Sequence, residues 1–355
     1  MMKKVIDNTI VTAVAAAVHS RIPPTEKIAF SYLSGSVTEG LATPKSDYDA
    51  YVVMREPVEE TEIQVATEIG MVEITLLSLQ TFIAISSKLS MGYSNREGVL
   101  TLYELHLAHR LVTGVALHNQ AEFSKLQTKI NSRELSSYLA QFSAAFAEKC
   151  YSDAFGNLLA NDEDSAIFNA DRTVHLALDL LLAHKGNTSS LVKWRSRYAK
   201  AILSEAHPVF IRYMDLISAM PSHNRRRKRE YIAHVGRFWQ SVLDYVHAQK
   251  YFPNAHVEFT EARVYGRDEL VEHRPGVLKK APWARVIDKD HKLYIVGHTP
   301  LFEISRDFLL IWLLIDNEST EGDISLRLEE SIWDQSRPKN LSANISQLKE
   351  RGLIL

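Results

Sequence analysis

The sequence predicts an α+β protein in which a mixed sheet with helices comes first, a helical domain follows, and a small unit of strands and helices closes the chain. Three observations predict this. Segments rich in β-branched and aromatic residues cluster between Lys27 and Leu77, which is strand composition. From about Ser132 to Ala248 apolar residues recur three and four apart, as at Leu176 and Leu180, which is helical periodicity. After a stretch richer in charge, Pro and Gly, the last part returns to two short strand-like runs and then to helical segments.

Composition bounds the answer. A chain of 355 residues is long enough for two or three domains and at least one sizeable core. With 46% hydrophobic and 24% charged residues, and no uncharged apolar run near the roughly 18 residues a membrane span needs, it reads as a soluble globular protein with no membrane partner. Its 41 basic and 43 acidic residues leave a formal charge of -2, so no whole-molecule field draws it to nucleic acid. The single cysteine, Cys150, cannot form an internal disulfide, and a reducing, cytoplasmic location is expected.

Met1 to Ser20 superficially resembles a signal peptide, but Asp7 and Asn8 interrupt its apolar stretch. Val5, Ile10, Val11, Val14 and Val18 fall near one face, so an amphipathic first helix is expected. Pro23-Pro24 ends it. Lys27 to Leu33 and Asp47 to Met54 read as strands joined through Ser34-Gly35-Ser36 and a short polar segment. Glu62 to Glu68, which helix would also suit, and Met71 to Leu77 read as two more strands meeting at Ile69-Gly70. In the last unit, Trp283 to Ile287 and Lys292 to Val296 read as strands, and Phe308 to Ile315, Glu321 to Leu328 and Ser342 to Arg351 as helices.

The chemistry concentrates between Tyr32 and Val53. A Gly-Ser turn directly after a strand can aim backbone N–H groups and a hydroxyl at an anion such as a triphosphate, with glycine permitting close approach. Asp47 and Asp49 stand two apart on a strand and therefore project from one face, where both can hold one cation. Glu73, an acid among apolar strand residues, joins them if its strand lies alongside. Three facing acids repel one another unless a divalent ion compensates, and magnesium suits hard oxygen donors. Taken singly, a Gly-Ser turn is an ordinary turn and an Asp-x-Asp an ordinary strand end; the combination is what points to a site.

Gly35-Ser36, Ser46-Asp47-Tyr48-Asp49 and a later strand bearing Glu73 resemble the signature of the DNA polymerase β-type nucleotidyltransferase superfamily. A small catalytic domain followed by a helical domain is similar, within it, to the antibiotic-modifying enzymes of the kanamycin type. The resemblance implies transfer of a nucleoside monophosphate onto an acceptor hydroxyl with release of pyrophosphate. It implies Gly35, Ser36 and Ser46 at the nucleotide, and Asp47, Asp49 and Glu73 as catalytic and metal-binding acids for two Mg2+ ions. ATP or another nucleoside triphosphate is the implied donor. Tyr103 to Leu117 resembles the segment that closes such catalytic domains. Lys193-Trp194-Arg195 resembles the stretch by which related helical domains reach the triphosphate, so Lys193, folding back from a second domain, is a further nucleotide-binding candidate.

Other features carry blander expectations. Glu104, His106 and His109 could bind metal but read first as structural; Glu148 could act as a base but reads first as surface. The basic run Asn224 to Arg229 lacks interleaved aromatics and reads as a solvated face. Phe302-Glu303-Ile304, Leu310-Ile311-Trp312, Asp323-Ile324 and Ile345 to Leu355 resemble a small winged-helix domain of the PqqD type, which implies peptide binding. The expected division is a nucleotidyltransferase domain over 1–125, a helical domain over 126–255, a connector over 256–282 and a winged-helix-like domain over 283–355. The acceptor is expected to be a small molecule or a peptide. The rival expectation is a non-catalytic protein of the same fold that binds peptide or DNA through its C-terminal domain.

Overall fold

The computed structural model describes residues 7–221, 224–253, 259–260, 263–264, 275–289, 292–297, 301–329 and 340–355. The expected connector over 256–282 lies in large part outside the described residues. By its contacts the chain forms two compact units, one of Met1–Phe142 with Leu182–Ile202 and one of Ser143–Leu181 with Leu203–Leu355.

The first unit opens with α1 (Asn8–Arg21), capped by Asp7, whose carboxylate accepts from the Thr9 N–H. The residue that interrupts the apolar stretch in sequence is thus the helix start. Four strands follow as the sequence predicts: β1 (Ile28–Ser34), β2 (Tyr48–Met54), β3 (Thr61–Thr67) and β4 (Gly70–Ser78). Then come α2 (Leu79–Met91), α3 (Leu102–Thr113), the short β5 (Val115–His118) and α4 (Gln120–Lys129). The sheet order is β3-β4-β2-β1-β5, with β2 and β4 parallel and the other neighbours antiparallel. The mixed sheet expected from the sequence is therefore present, and β5, inside the stretch read as closing the domain, completes its edge on β1.

Strand alternation gives the sheet two faces. Val52, Val72 and Ile74 pack with Val14 and Val18 of α1. Phe30, Tyr32, Tyr51, Val53 and Leu77 pack with Phe82 and Ile85 of α2, Leu105 and Leu111 of α3, and Phe123 of α4. Tyr32 and Tyr51 stack with centroids 4.9 Å apart. Side chains of β2 at odd positions face α3, and Asp49 is one of them.

The helices α5 (Ser132–Leu159) and α6 (Glu163–His184) carry the chain between the units, and α7 (Arg195–Leu203) follows a short turn at Val192–Trp194. The second unit holds α8 (Pro208–Ser218), α9 (Arg225–Tyr251), a three-stranded antiparallel sheet of β6 (Arg285–Lys289), β7 (Lys292–Val296) and β8 (Phe302–Ile304), and α10 (Arg306–Leu314), α11 (Glu321–Glu329) and α12 (Leu341–Glu350). Phe308 through Leu314 are all buried, so α10 is the apolar centre of this unit.

Two sequence features find partners here. Glu148 receives Arg285 Nε at 2.7 Å and Trp239 Nε1 at 3.4 Å, which makes it an internal brace rather than a free base. The basic run at the start of α9 faces acids at the start of α6. Arg225 reaches Glu163 at 2.6 Å, Arg229 reaches it at 3.2 Å, and Lys228 pairs with Asp164. That pairing cancels much of the local field that a polyanion would need. Among the described residues no helix is long and apolar enough to cross a membrane.

Candidate functional site

The site lies where β1 ends and β2 and β4 begin, on the sheet face turned toward α3. Antiparallel pairing sets Ser34 opposite Asp49, and parallel pairing sets Asp49 opposite Glu73. Partners in register share a face, so Asp47, Asp49 and Glu73 project to one side of the sheet. The like charge of Asp47 also acts on Glu73. Convergence of acids distant in sequence is thus a consequence of β2/β4 register.

The turn after β1 is built around Gly35, at φ +95°. A Cβ there would meet Asp49 Oδ2 at 1.9 Å and Arg110 Nη1 at 2.3 Å, so any side chain is excluded by a carboxylate and a guanidinium. The turn is held by its own bonds: Thr38 Oγ1 donates to Gly35 O at 3.0 Å and Leu41 N to Ser36 O at 2.8 Å. Ser34 Oγ donates to Arg110 O at 2.8 Å and pins the strand end to α3. Ser36 is buried beside this turn. Ser46 accepts from the Thr43 N–H at 2.8 Å, so its hydroxyl caps the turn before β2.

Electrostatics mark the carboxylates as crowded. Burial, and after it the charge of Asp47, raises the Asp49 carboxyl above its ordinary range, although Arg110 and Lys193 pull the other way. Burial and then the like charges of Glu62, Asp49 and Asp47 raise Glu73. Arg110 Nη1 lies 3.3 Å from Asp49 Oδ2, while its Nε donates to His106 Nε2 at 2.8 Å. Burial, followed by the charges of Arg110, His109 and Lys193, pulls His106 down to about 4, so it is a neutral acceptor at physiological pH. Lys193 stands in the 182–202 segment of the first unit, where its charge is felt by both Asp49 and His106.

Among the described residues no group of three or more His, Cys, Asp or Glu side chains forms a ready-made metal centre. Asp49 directs an oxygen to Arg110. The donor set nevertheless fits a hard divalent cation. It offers carboxylate oxygens, and among the described residues neither Asp47 nor Glu73 has a cationic side chain at ion-pair distance. Of the three candidates on α3, Glu104 binds Lys88 at 2.7 Å and caps its own helix, and the two histidines are engaged by Arg110 and by a buried network, so all have structural partners. Arg110 is the residue that sequence reasoning missed. Its only trace is the polar i, i+4 pair His106/Arg110 on an otherwise apolar helix face.

Residues 16–109 match the family model of the nucleotidyltransferase domain. The matched span runs from α1 into α3 and contains Gly35, Ser36, Ser46, Asp47, Asp49 and Glu73, which bears out the resemblance drawn from those motifs. The protein is on this ground a transferase, of a fold that generally uses a nucleoside triphosphate and a divalent metal. No curated protein matches the chain. A solved structure of a nucleotidyltransferase-like protein from Exiguobacterium sibiricum 255-15 overlaps 82% of this chain and 100% of its own, at 14% identity and a TM-score of 0.42.

Proposed function

We propose that the nucleotidyltransferase domain over residues 16–109 moves a nucleoside monophosphate, AMP from ATP, onto an acceptor hydroxyl. The observation that carries this reading is the β2/β4 register that sets Glu73 beside Asp49, with the Gly35 turn packed against Asp49. In the proposed step the acceptor oxygen forms a bond to the α-phosphorus, the bond from that phosphorus to the bridging oxygen breaks, and pyrophosphate leaves with the electron pair. The acceptor proton passes to a carboxylate, and Glu73, whose proton affinity is raised by burial and then by the like charges around it, is the proposed base.

Asp47, Asp49 and Glu73 would hold magnesium, which when bound neutralises charge on the attacking and leaving oxygens. The chain's own residues supply orientation and charge. Gly35 gives the turn its positive φ, which lets the backbone N–H groups after β1 face the β- and γ-phosphates, and Ser36 offers its hydroxyl to them. Lys193 adds a positive charge on the leaving side, and Arg110 keeps Asp49 extended over the turn. Ser46 holds the turn that leads into Asp47 by accepting from the Thr43 N–H, and its hydroxyl is proposed to meet the nucleotide from there. The acceptor is proposed to be a small hydroxylated molecule or a peptide, the latter presented by the C-terminal sheet and helices acting as a winged-helix-like module.

The test is magnesium-dependent pyrophosphate release from each of the four common nucleoside triphosphates, with intact-mass analysis of candidate acceptors. An acceptor heavier by one AMP, lost in both Asp47→Asn and Asp49→Asn, is the expected result. A folded wild type that neither binds nor turns over any triphosphate would sink the reading.

A further inference from the structure

The first unit contains a second polar cluster, buried and separate from the three acids. Glu39 sits at the end of the turn that begins with Gly35, and its carboxylate lies 3.1 Å from His109 Nε2. On the other side of the ring, His109 Nδ1 lies 2.9 Å from Thr188 Oγ1. Tyr198 OH donates to Glu39 Oε2 at 2.5 Å. The His109 side chain is fully buried and that of Glu39 is 4% exposed. Burial alone would raise the Glu39 carboxyl, but the hydrogen bond and charge of His109, with Tyr198 and Arg110, hold it below its usual range. A buried carboxylate so thoroughly satisfied stiffens what it joins, because leaving any one partner unpaired is costly.

What it joins is informative. Thr188 and Tyr198 bracket Lys193, one on each side along the chain, and Arg197 Nη1 adds a bond to Leu41 O at 2.7 Å. Glu39 is four residues past Gly35, and His109 is the neighbour of Arg110, which holds Asp49. The segment bearing Lys193, the phosphate-side turn and the α3 face are thereby tied at a single buried point. The cation that acts on Asp49 owes its place to bonds made on either side of it.

Resting on the nucleotide-transfer reading, we propose that Glu39, His109 and Tyr198 are positioning residues. They lock the Lys193 segment against the Gly35 turn, so that nucleotide affinity depends on a tyrosine hydroxyl too deeply buried to touch the nucleotide. Tyr198 is 5% exposed, which leaves its hydroxyl no route to a ligand except through these partners.

The experiment is equilibrium titration of ATP with magnesium, in the absence of acceptor, into the full-length wild type, Tyr198→Phe, Lys193→Ala and the double variant. Unfolding temperatures are measured on the same samples. Loss of a charge-assisted bond of this kind corresponds to roughly a tenfold weakening of ATP binding in Tyr198→Phe. The double variant is expected to bind within about threefold of Lys193→Ala, because the tyrosine acts through the lysine. Wild-type affinity in a folded Tyr198→Phe, or two losses that simply multiply in the double variant, would overturn the clamp while leaving the transfer reading intact. If Tyr198→Phe does not fold, Glu39→Gln takes its place in the same cycle with the same two outcomes. A wild type that binds no triphosphate overturns the transfer reading, and the clamp with it.

Discussion

Replacing Gly35 by alanine separates backbone strain from damage to the site. At φ +95° an L-residue costs about 1–2 kcal/mol in backbone energy alone. The added methyl would also stand 1.9 Å from Asp49 Oδ2 and 2.3 Å from Arg110 Nη1. The carboxylate must therefore retreat by roughly 1.5 Å or more before contact becomes ordinary. Its bond to the buried Arg110 is lost or bent, worth about 1.5–3 kcal/mol for a hydrogen bond to a charged group. The expected loss of stability is about 2.5–5 kcal/mol, and displacement of a reacting group by more than 1 Å corresponds to at least about a hundredfold loss of turnover. Gly92 is the control, since its φ is +78° and a Cβ there meets nothing within 4 Å. Gly92→Ala should lose about 1–3 kcal/mol from backbone strain alone and keep its turnover. Thermal unfolding and pyrophosphate release measured side by side decide the matter. A Gly35→Ala variant whose turnover stays within a few-fold of Gly92→Ala would refute the argument that the turn, Asp49 and Arg110 form one close-packed unit.

Two further predictions concern the second unit. Glu148→Ala strips the buried Arg285 of its carboxylate and should cost about 3–5 kcal/mol, while turnover by the folded fraction is unchanged; a specific loss of turnover at full stability would instead make Glu148 a catalytic base. Asp316 is the pH probe: burial opposes its ionisation, but bonds from Arg327 and from the Glu318 and Ser319 region prevail and hold it at about 2. Because this is a depressed carboxyl, its contribution, on the order of 2 kcal/mol, is present above the unfolded value of 3.8 and fades as pH falls toward 2. Asp316→Asn should therefore lower stability at pH 6 and flatten the decline between pH 4 and 2, as followed by urea unfolding; an unchanged acid limb would contradict the assignment.

Most of the sheet was legible because its strands carry their own composition. Ile28 to Ser34 and Tyr48 to Met54 are rich in β-branched and aromatic residues, and Gly70, at φ +128°, marks the hairpin between β3 and β4. The ambiguous Glu62 segment is strand because it pairs with β4 along its whole length, a tertiary fact. The short strands β5 and β8 were not separable from their neighbours, since a run of four or three residues has too little pattern to read. In the site, the alternation of Asp47 and Asp49 and the need for glycine at 35 follow from local rules. The nearness of Glu73 depends on strand order, which spacing alone does not give. Arg110, Glu39 and Tyr198 were beyond reach for a stronger reason, as were the partners of His109, itself read from sequence as structural: each has meaning only through residues about 60 to 160 positions away, and no local period encodes such a meeting.

The central claim is that Asp47, Asp49 and Glu73 together hold a divalent ion on a nucleoside triphosphate. Electron paramagnetic resonance of Mn2+ titrated into the protein with a non-hydrolysable ATP analogue tests it without need of the acceptor. Bound Mn2+ is expected in the wild type, with affinity at least tenfold weaker in Asp49→Asn and in Glu73→Gln, a position paired with Asp49 across the two strands. Equal Mn2+ binding by the wild type and both variants, in the presence of the analogue, would contradict it.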